Sequence, residues 1–294
     1  MNYAELLSPE FRARLAHLQV AARRALPSSM RGDRRAPLRK GISLEFADFR
    51  NYVPGDDVRH LDWSAYARLD QLVLKLCHDE EDLQVHLLVD DSASMKHGAP
   101  QKALAARRIG AALGWLSLRA GARVSAALLG ESFERLPLVR GESGTERLLT
   151  FLSADCTASQ KPLHRCCEEY AALARPFGIV VLISDLFDPA GPVAAVRALH
   201  RRTTEVNVLH VLSKDDTDPD LEGELRLIDA EGAPSVETTV SPARLAAYRA
   251  VVRAFIAECA DLCLRRGAGY VFAAGDRALE GLFLDDMVRA GMVR

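Results

Sequence analysis

The sequence predicts an α/β protein built on a doubly wound, mostly parallel sheet, with a small N-terminal helix-plus-strand appendage. Three observations carry this. From residue 83 onward, short apolar runs alternate with amphipathic stretches of helical period. The runs are continuous rather than alternating, as strands buried on both faces require. Two of them end in aspartates and serines, at the carboxyl ends of strands where ligands sit in such sheets.

The elements follow in order. Ser8 caps a first helix and Pro9 fits its first position. Phe11, Leu15, Leu18, Ala22 and Leu26 then recur at helical spacing until Pro27 stops it. Residues 28–40 read as an exposed basic connector. Residues 41–77 are compact and turn-rich, with a tight turn at Pro54-Gly55 and a closing strand at 72–77. Strands are expected at 84–89, 123–129, 179–184, 206–212 and 270–274, and the region 122–139 holds two. Helices are expected at 100–119, 143–153, 162–175, 190–201, 243–266 and 277–290. Residues 225–240 read as a hairpin turning at Ala230-Glu231-Gly232. The division expected is residues 1–80, a helix and a turn-rich segment packed on the main domain, and residues 81–294, the main domain.

Composition removes several function classes. Lys and Arg total 38 against 40 for Asp and Glu, so global charge gives no argument for nucleic acid. The first 40 residues are an exception, with nine basic residues against three acidic. No stretch reaches the roughly 18 apolar residues of a membrane span, and the start shows no secretory pattern. The six cysteines make no C-x-x-C pair. Cys259 and Cys263, four apart on a helix, read as core packing. Free thiols suit a reducing compartment, so a cytoplasmic protein without a membrane span is expected.

The chemistry concentrates in "LLVDDSASMKHG", residues 87–98. After the strand, Asp90, Ser92 and Ser94 place three hard oxygen donors within five residues. One reading is a serine-capped polar turn. The other is a divalent cation site, because "IVVLISDLFD" brings Asp185 and Asp188 to the same rim from another strand. Mg²⁺ takes about six oxygens, few of them protein carboxylates, and Asp90, Ser92, Ser94 and Asp185 match that demand. His60, His86, His97, His164 and His210 show no metal spacing among themselves and read as ordinary polar or core residues.

Both pieces resemble the metal-ion-dependent adhesion site of von Willebrand factor A domains, in which D-x-S-x-S follows the first strand and an aspartate the fourth. Residues 41–68 also resemble the signature of the bacterial domain-of-unknown-function-58 family: Gly41, Glu45-Phe46, Arg50, Tyr52, Gly55-Asp56, Arg59, Asp62-Trp63 and Ala67-Arg68. The likeness implies a non-enzymatic protein-binding or adaptor protein that works with a MoxR-type AAA+ ATPase in assembling or activating other proteins. In that site a threonine joins the cation, but by register its place falls near Lys161, which would repel a cation or occupy its place. Thr157 and Ser159 are possible substitutes, and Thr145 lies one helix too early. The charges of residues 41–68 read either as an ion-pair network anchored by Trp63 or as a partner-binding patch. The alternative function is a Mg²⁺-dependent phosphohydrolase using Asp90, Asp91 and Asp185, with Lys96 and His97 nearby. Against it, Asp91 follows Asp90 directly and should point away from it.

Overall fold

Ser8 and Pro9 start the first helix as their chemistry dictates. In the computed structural model α1 (Pro9–Leu15) has the Ser8 hydroxyl accepting from the Phe11 N–H at 3.2 Å. The structure describes residues 6–21, 45–53, 61–78, 83–98, 101–130, 134–154, 161–174, 178–200, 205–229, 235–274 and 278–294. The helix is shorter than its periodicity suggests. Beyond it, Gln19 and Arg294 exchange backbone hydrogen bonds at 2.9 Å, and the Ala21 N–H donates to Met292. Pairing with the chain's far end satisfies the backbone there, so the helix need not continue to Leu26; residues 22–26 lie outside the described ones.

Two compact units result: the described residues of Met1–Arg24 with Leu83–Arg294, and those of Ala25–Asp82. The expected division at residue 80 changes accordingly, because α1 belongs to the larger unit. Leu6, Leu7, Phe11 and Leu15 are buried in its core, and the Phe11 ring meets Phe283 edge-on at 5.9 Å.

The smaller unit pairs β1 (Glu45–Asn51) antiparallel with β2 (Val73–His78), with a register shift between Phe46 and Asp48. Between them lies α2 (Trp63–Leu69), a helix the turn-rich composition did not suggest. Asp62 caps it, accepting from the Ser64 and Ala65 N–H groups at 2.9 and 3.0 Å. Trp63, expected either to anchor an ion-pair network or to belong to a partner-binding patch, is 61% exposed and packs edge-on against Tyr66. Gly41, Gly55, Asp56 and Arg59 of the signature lie outside the described residues.

The larger unit is organised around β3 (Gln84–Asp90), which lies between β4 (Arg123–Leu129) and β6 (Ile179–Ser184) and pairs parallel with both. After β3 come α3 (Lys102–Arg119), β4, β5 (Glu134–Val139), α4 (Gly141–Ser153), α5 (Leu163–Ala174), β6, α6 (Pro192–His200), β7 (Glu205–Leu212) and α7 (Lys214–Thr217). The hairpin β8 (Gly223–Leu227) and β9 (Val236–Val240) follows, then α8 (Pro242–Arg265), β10 (Gly269–Ala274) and a helical segment from Leu279 to Arg289 with a π turn inside it. The sheet runs β10-β7-β6-β3-β4-β5, and only β5 is antiparallel. The hairpin is antiparallel as expected; the turn expected at Ala230 lies outside the described residues.

The continuous apolar runs divide between two faces, as a period of two requires. Val85, Leu87, Val89, Ile179, Val181 and Ile183 pack with α1, α3 and α4. Leu88, Val180, Leu182, Val206 and Val208 pack with α5, α6 and α8 on the other face. Among the described residues no helix is long and apolar enough to cross a membrane.

Entry into β6 depends on Gly178. Its φ is +106°, and a Cβ there would stand 2.4 Å from the Gln84 carbonyl oxygen. Gly178→Ala is therefore expected to destabilise the protein by about 3 kcal/mol, from left-handed strain plus collision with rigid backbone. Urea denaturation of the variant checks this; a loss under about 1 kcal/mol would show that the β3–β6 entry can spread.

Candidate functional site

Sheet topology decides where the polar residues meet. The chain leaves β3 toward β4 on one side and returns to β6 on the other, so β3 and β6 flank the point where strand order reverses. Ligands bind beyond the carboxyl ends of strands at such a point. Val89 is opposite Ile183 in the ladder, so Asp90 emerges beside Ser184, and Asp185 follows one residue later. The Ser184 hydroxyl donates to Asp90 Oδ2 at 2.5 Å, and the Ser92 N–H donates to Asp90 Oδ1 at 2.9 Å. The Ser92 and Ser94 hydroxyls are 3.0 Å apart. Asp90, Ser92, Ser94 and Asp185 thus share one rim.

Neighbouring residues at a strand exit face opposite ways, and the carboxylates sort accordingly. Asp91, fully buried, turns toward α3, where Arg107 donates to its Oδ1 at 2.9 Å. The same guanidinium donates to the Leu152 and Ala154 carbonyls at the end of α4. Asp185 also faces α3: Lys102 donates to its Oδ2 at 2.9 Å, and the Phe187 N–H donates to its Oδ1 at 3.2 Å. Asp188 is held by His164, whose backbone N–H and ring Nδ1 lie 2.6 and 2.9 Å from its oxygens. A tight turn makes this possible, because Leu186 is buried with φ +59°, a left-handed conformation unusual for leucine.

Lys102 is the residue that sequence reasoning missed. Its side chain is 2% exposed, and it also reaches Asp216, at 3.1 Å from Oδ2. Asp216 is fixed by a capping box, accepting from the Ser213 N–H and hydroxyl at 2.8 and 2.7 Å. Gly98, with φ +92°, lets the loop after β3 approach the same serine; a Cβ there would lie 2.2 Å from Ser213 Oγ. The ammonium further lies 5.2 Å from the Phe187 ring centroid. Lys161, expected near the missing threonine, donates to Glu169 at 2.5 Å, and the ammonium on Asp185 is that of Lys102. Thr157 and Ser159 lie outside the described residues.

Electrostatics separates the carboxylates. Asp90 is 3% exposed and has no cationic partner among the described residues. Burial, and then the charge of Asp185, push it up to about 7, against the hydrogen bonds from Ser184 and Ser92. Burial also raises Asp91, with Arg107 opposing. Burial alone would lower the Lys102 ammonium, but Asp185 and Asp216 outweigh it and hold it above the ordinary lysine value. The buried Cys259 and Cys263 thiols are pushed up to about 12 and about 11 by burial, as core residues are.

A hard dication fits part of this rim. Asp90 is a buried carboxylate in need of positive charge, it stands beside two hydroxyl oxygens, and each of its oxygens retains a lone pair. Asp185 is already shared with an ammonium. Among the described residues no three His, Cys, Asp or Glu side chains gather into a metal-holding cluster, so a cation here would lean on Ser92 and Ser94.

A mostly parallel doubly wound sheet with this rim defines an α/β protein of the von Willebrand factor A or Rossmann-like kind. The chain belongs to the family described as "Protein of unknown function DUF58", whose profile matches residues 48–255. Uncharacterized proteins of Mycobacterium tuberculosis and Mycobacterium bovis are 31% identical over 276 residues, covering 88% of this chain and 85% of theirs. Among solved structures, the chain is similar to the conserved hypothetical protein BatB from Bacteroides thetaiotaomicron, with a TM-score of 0.42 and 16% identity over 71% of this chain and 98% of that one. It is also similar to proximal thread matrix protein 1 from the mussel byssus, with a TM-score of 0.37 and 14% identity over 44% of this chain and 38% of that one.

Proposed function

We propose that the protein is a non-enzymatic binding protein, cytoplasmic, whose β3–β6 rim takes an acidic group of a protein partner. The observation that carries this is Asp90: a buried carboxylate that meets no cation among the described residues, at the strand-order reversal, flanked by two hydroxyls. Mg²⁺ held by Asp90, Ser92 and Ser94, with Asp185 alongside, would supply an electrophilic position for a partner carboxylate. Neutral hydroxyls suit that task, because further carboxylates would quench the ion's attraction for a ligand. The partner class in this reading is a MoxR-type AAA+ ATPase, and the task is assembly or activation of other proteins; the family resemblance supports both.

Arg107 weighs against the phosphohydrolase alternative. It holds Asp91 in a buried ion pair of its own, so Asp91 is not free to join Asp90 and Asp185 in one carboxylate set. His97 is exposed and has no carboxylate partner among the described residues.

Calorimetric titration of Mg²⁺ tests the reading. Asp90→Ala is expected to abolish binding, and Ser92→Ala or Ser94→Ala to weaken it by about tenfold or less, since water replaces a neutral hydroxyl. Binding of the partner ATPase should fall with chelator in the wild type and ignore chelator in Asp90→Ala. Wild-type protein that takes up no Mg²⁺ would remove the metal from the proposal, and turnover of generic phosphoesters would overturn the non-enzymatic reading.

A further inference from the structure

The charges buried at the rim do not balance. Asp90 and Asp185 are buried there with the partly buried Asp216 beside them, and the Lys102 ammonium reaches Asp185 and Asp216 but forms no ion pair with Asp90. Of the neighbouring carboxylates, Asp91 is paired with Arg107, and Asp188 is hydrogen-bonded by the backbone and ring of His164. Lys102 favours one side of the cluster, bonding to Asp185 and Asp216.

This position is costly for a lysine. It lies in the first turn of α3 and on the helix's buried stripe, in line with Ala106, Ile109, Leu113 and Leu116. A side chain there normally packs against apolar neighbours. Lys102 instead extends to the strand exits, where its ammonium gains two carboxylates and an aromatic face. An ammonium so placed does for Asp185 what a metal ion would do: it neutralises a carboxylate taken out of water.

We propose that Lys102 is a resident counter-ion that holds the rim assembled before a divalent cation arrives, and that a cation entering at Asp90 competes with it for Asp185. The inference rests on the metal reading above and adds what that reading lacks, a residue that sets the site's affinity. While Lys102 occupies Asp185, an entering ion has one full carboxylate, Asp90, and is repelled by the ammonium held 2.9 Å from Asp185. Affinity is thereby kept low. Asp216 gives the displaced ammonium somewhere to remain, so the lysine need not leave the interior when Asp185 turns to the ion. Lys102 is thus a positioning residue, acting on the ion through Asp185.

Titration of Mg²⁺ into the full-length wild type and Lys102→Met decides the matter, with thermal melts to verify folding. Methionine retains the stem and removes the charge. Lys102→Met is expected to bind Mg²⁺ at least about tenfold more tightly than the wild type, and its melting temperature, lowered without metal, should rise on adding Mg²⁺ by more than that of the wild type. Equal affinity in the two proteins would overturn the competition and leave the metal reading standing. Absence of Mg²⁺ binding in both would overturn the metal reading and this inference with it. If Lys102→Met does not fold, the wild type provides the answer by ¹⁵N-lysine spectroscopy. The Lys102 ammonium is buried and lies 5.2 Å from the Phe187 ring centroid, and its resonance should move along the calorimetric Mg²⁺ binding curve. A resonance that stays still at saturation would overturn the proposal.

Discussion

Arg107→Met is expected to destabilise the protein by about 4 kcal/mol, the cost of leaving a buried charge without its partner. Asp91 is fully buried and Arg107 is 4% exposed, so solvent cannot take over from the missing guanidinium. Arg107 also donates to the Leu152 and Ala154 carbonyls, and those acceptors lose their donor in the same substitution. The converse change should cost less. In Asp91→Asn the arginine retains both carbonyls and the asparagine oxygen can still accept. Combining the two substitutions should recover part of the loss, because no uncompensated carboxylate remains. Chemical denaturation of the four proteins gives the coupling energy directly. A loss below about 1 kcal/mol for Arg107→Met would show that Asp91 is neutral in the folded protein and needs no partner.

Most of the main sheet was legible from residue order. The strands at 123–129 and 179–184 were marked by apolar runs between turn residues, and the structure places β4 and β6 at those bounds. What the sequence could not show was where backbone pairing replaces helical propensity. Leu18, Ala22 and Leu26 keep the helical period, yet the chain leaves α1 at Ala16 and pairs with residues 292–294, a partner more than 270 positions away. Helix α2 was hidden for a different reason: its seven residues are too few for a period to show, and only the Asp62 cap marks its start.

The candidate site divides in the same way. Asp90, Ser92, Ser94 and Asp185 were legible because hard oxygen donors at strand exits break an apolar pattern. Lys102 carried a signal that was readable but went unread: a lysine on the buried stripe of a helix, at the first residue of the helix that follows the site. Asp216 was marked as well, since Ser213 and Asp216 have the spacing of a capping box. That Lys102 reaches both Asp185 and Asp216, while Lys161 bonds to Glu169, depends on contacts 83, 114 and 8 residues apart in the chain. Side-chain reach across the rim has no counterpart in local spacing.

The acid side of the stability profile should be set in large part by His210. The ring is buried at the end of β7, with Nδ1 2.8 Å from the Tyr270 hydroxyl and the rings of Phe255 and Phe272 each 5.6 Å away. Burial pushes its pKa down to about 4, and the Lys102 ammonium adds to the effect, while the Asp185 backbone and Asp216 oppose it. A histidine depressed from 6.5 is protonated more readily in the unfolded chain, so unfolding takes up protons between the two values. Its contribution is fully present above about pH 6.5 and is lost as pH falls through about 4. The depression corresponds to about 3 kcal/mol at most. Asp90 acts in the opposite sense: its pKa is raised from 3.8 to about 7, so its contribution is present at low pH and is lost as pH rises through about 7. The two trends overlap, and the wild-type profile alone cannot separate them. His210→Gln cannot take the charge and leaves Asp90 in place, so the difference between wild type and variant isolates the histidine. Urea unfolding at pH 4, 5, 6 and 7 should show the wild type losing about 3 kcal/mol relative to His210→Gln across that range. Parallel profiles would mean that His210 can be protonated inside the fold, and that the β7 exit is open to water.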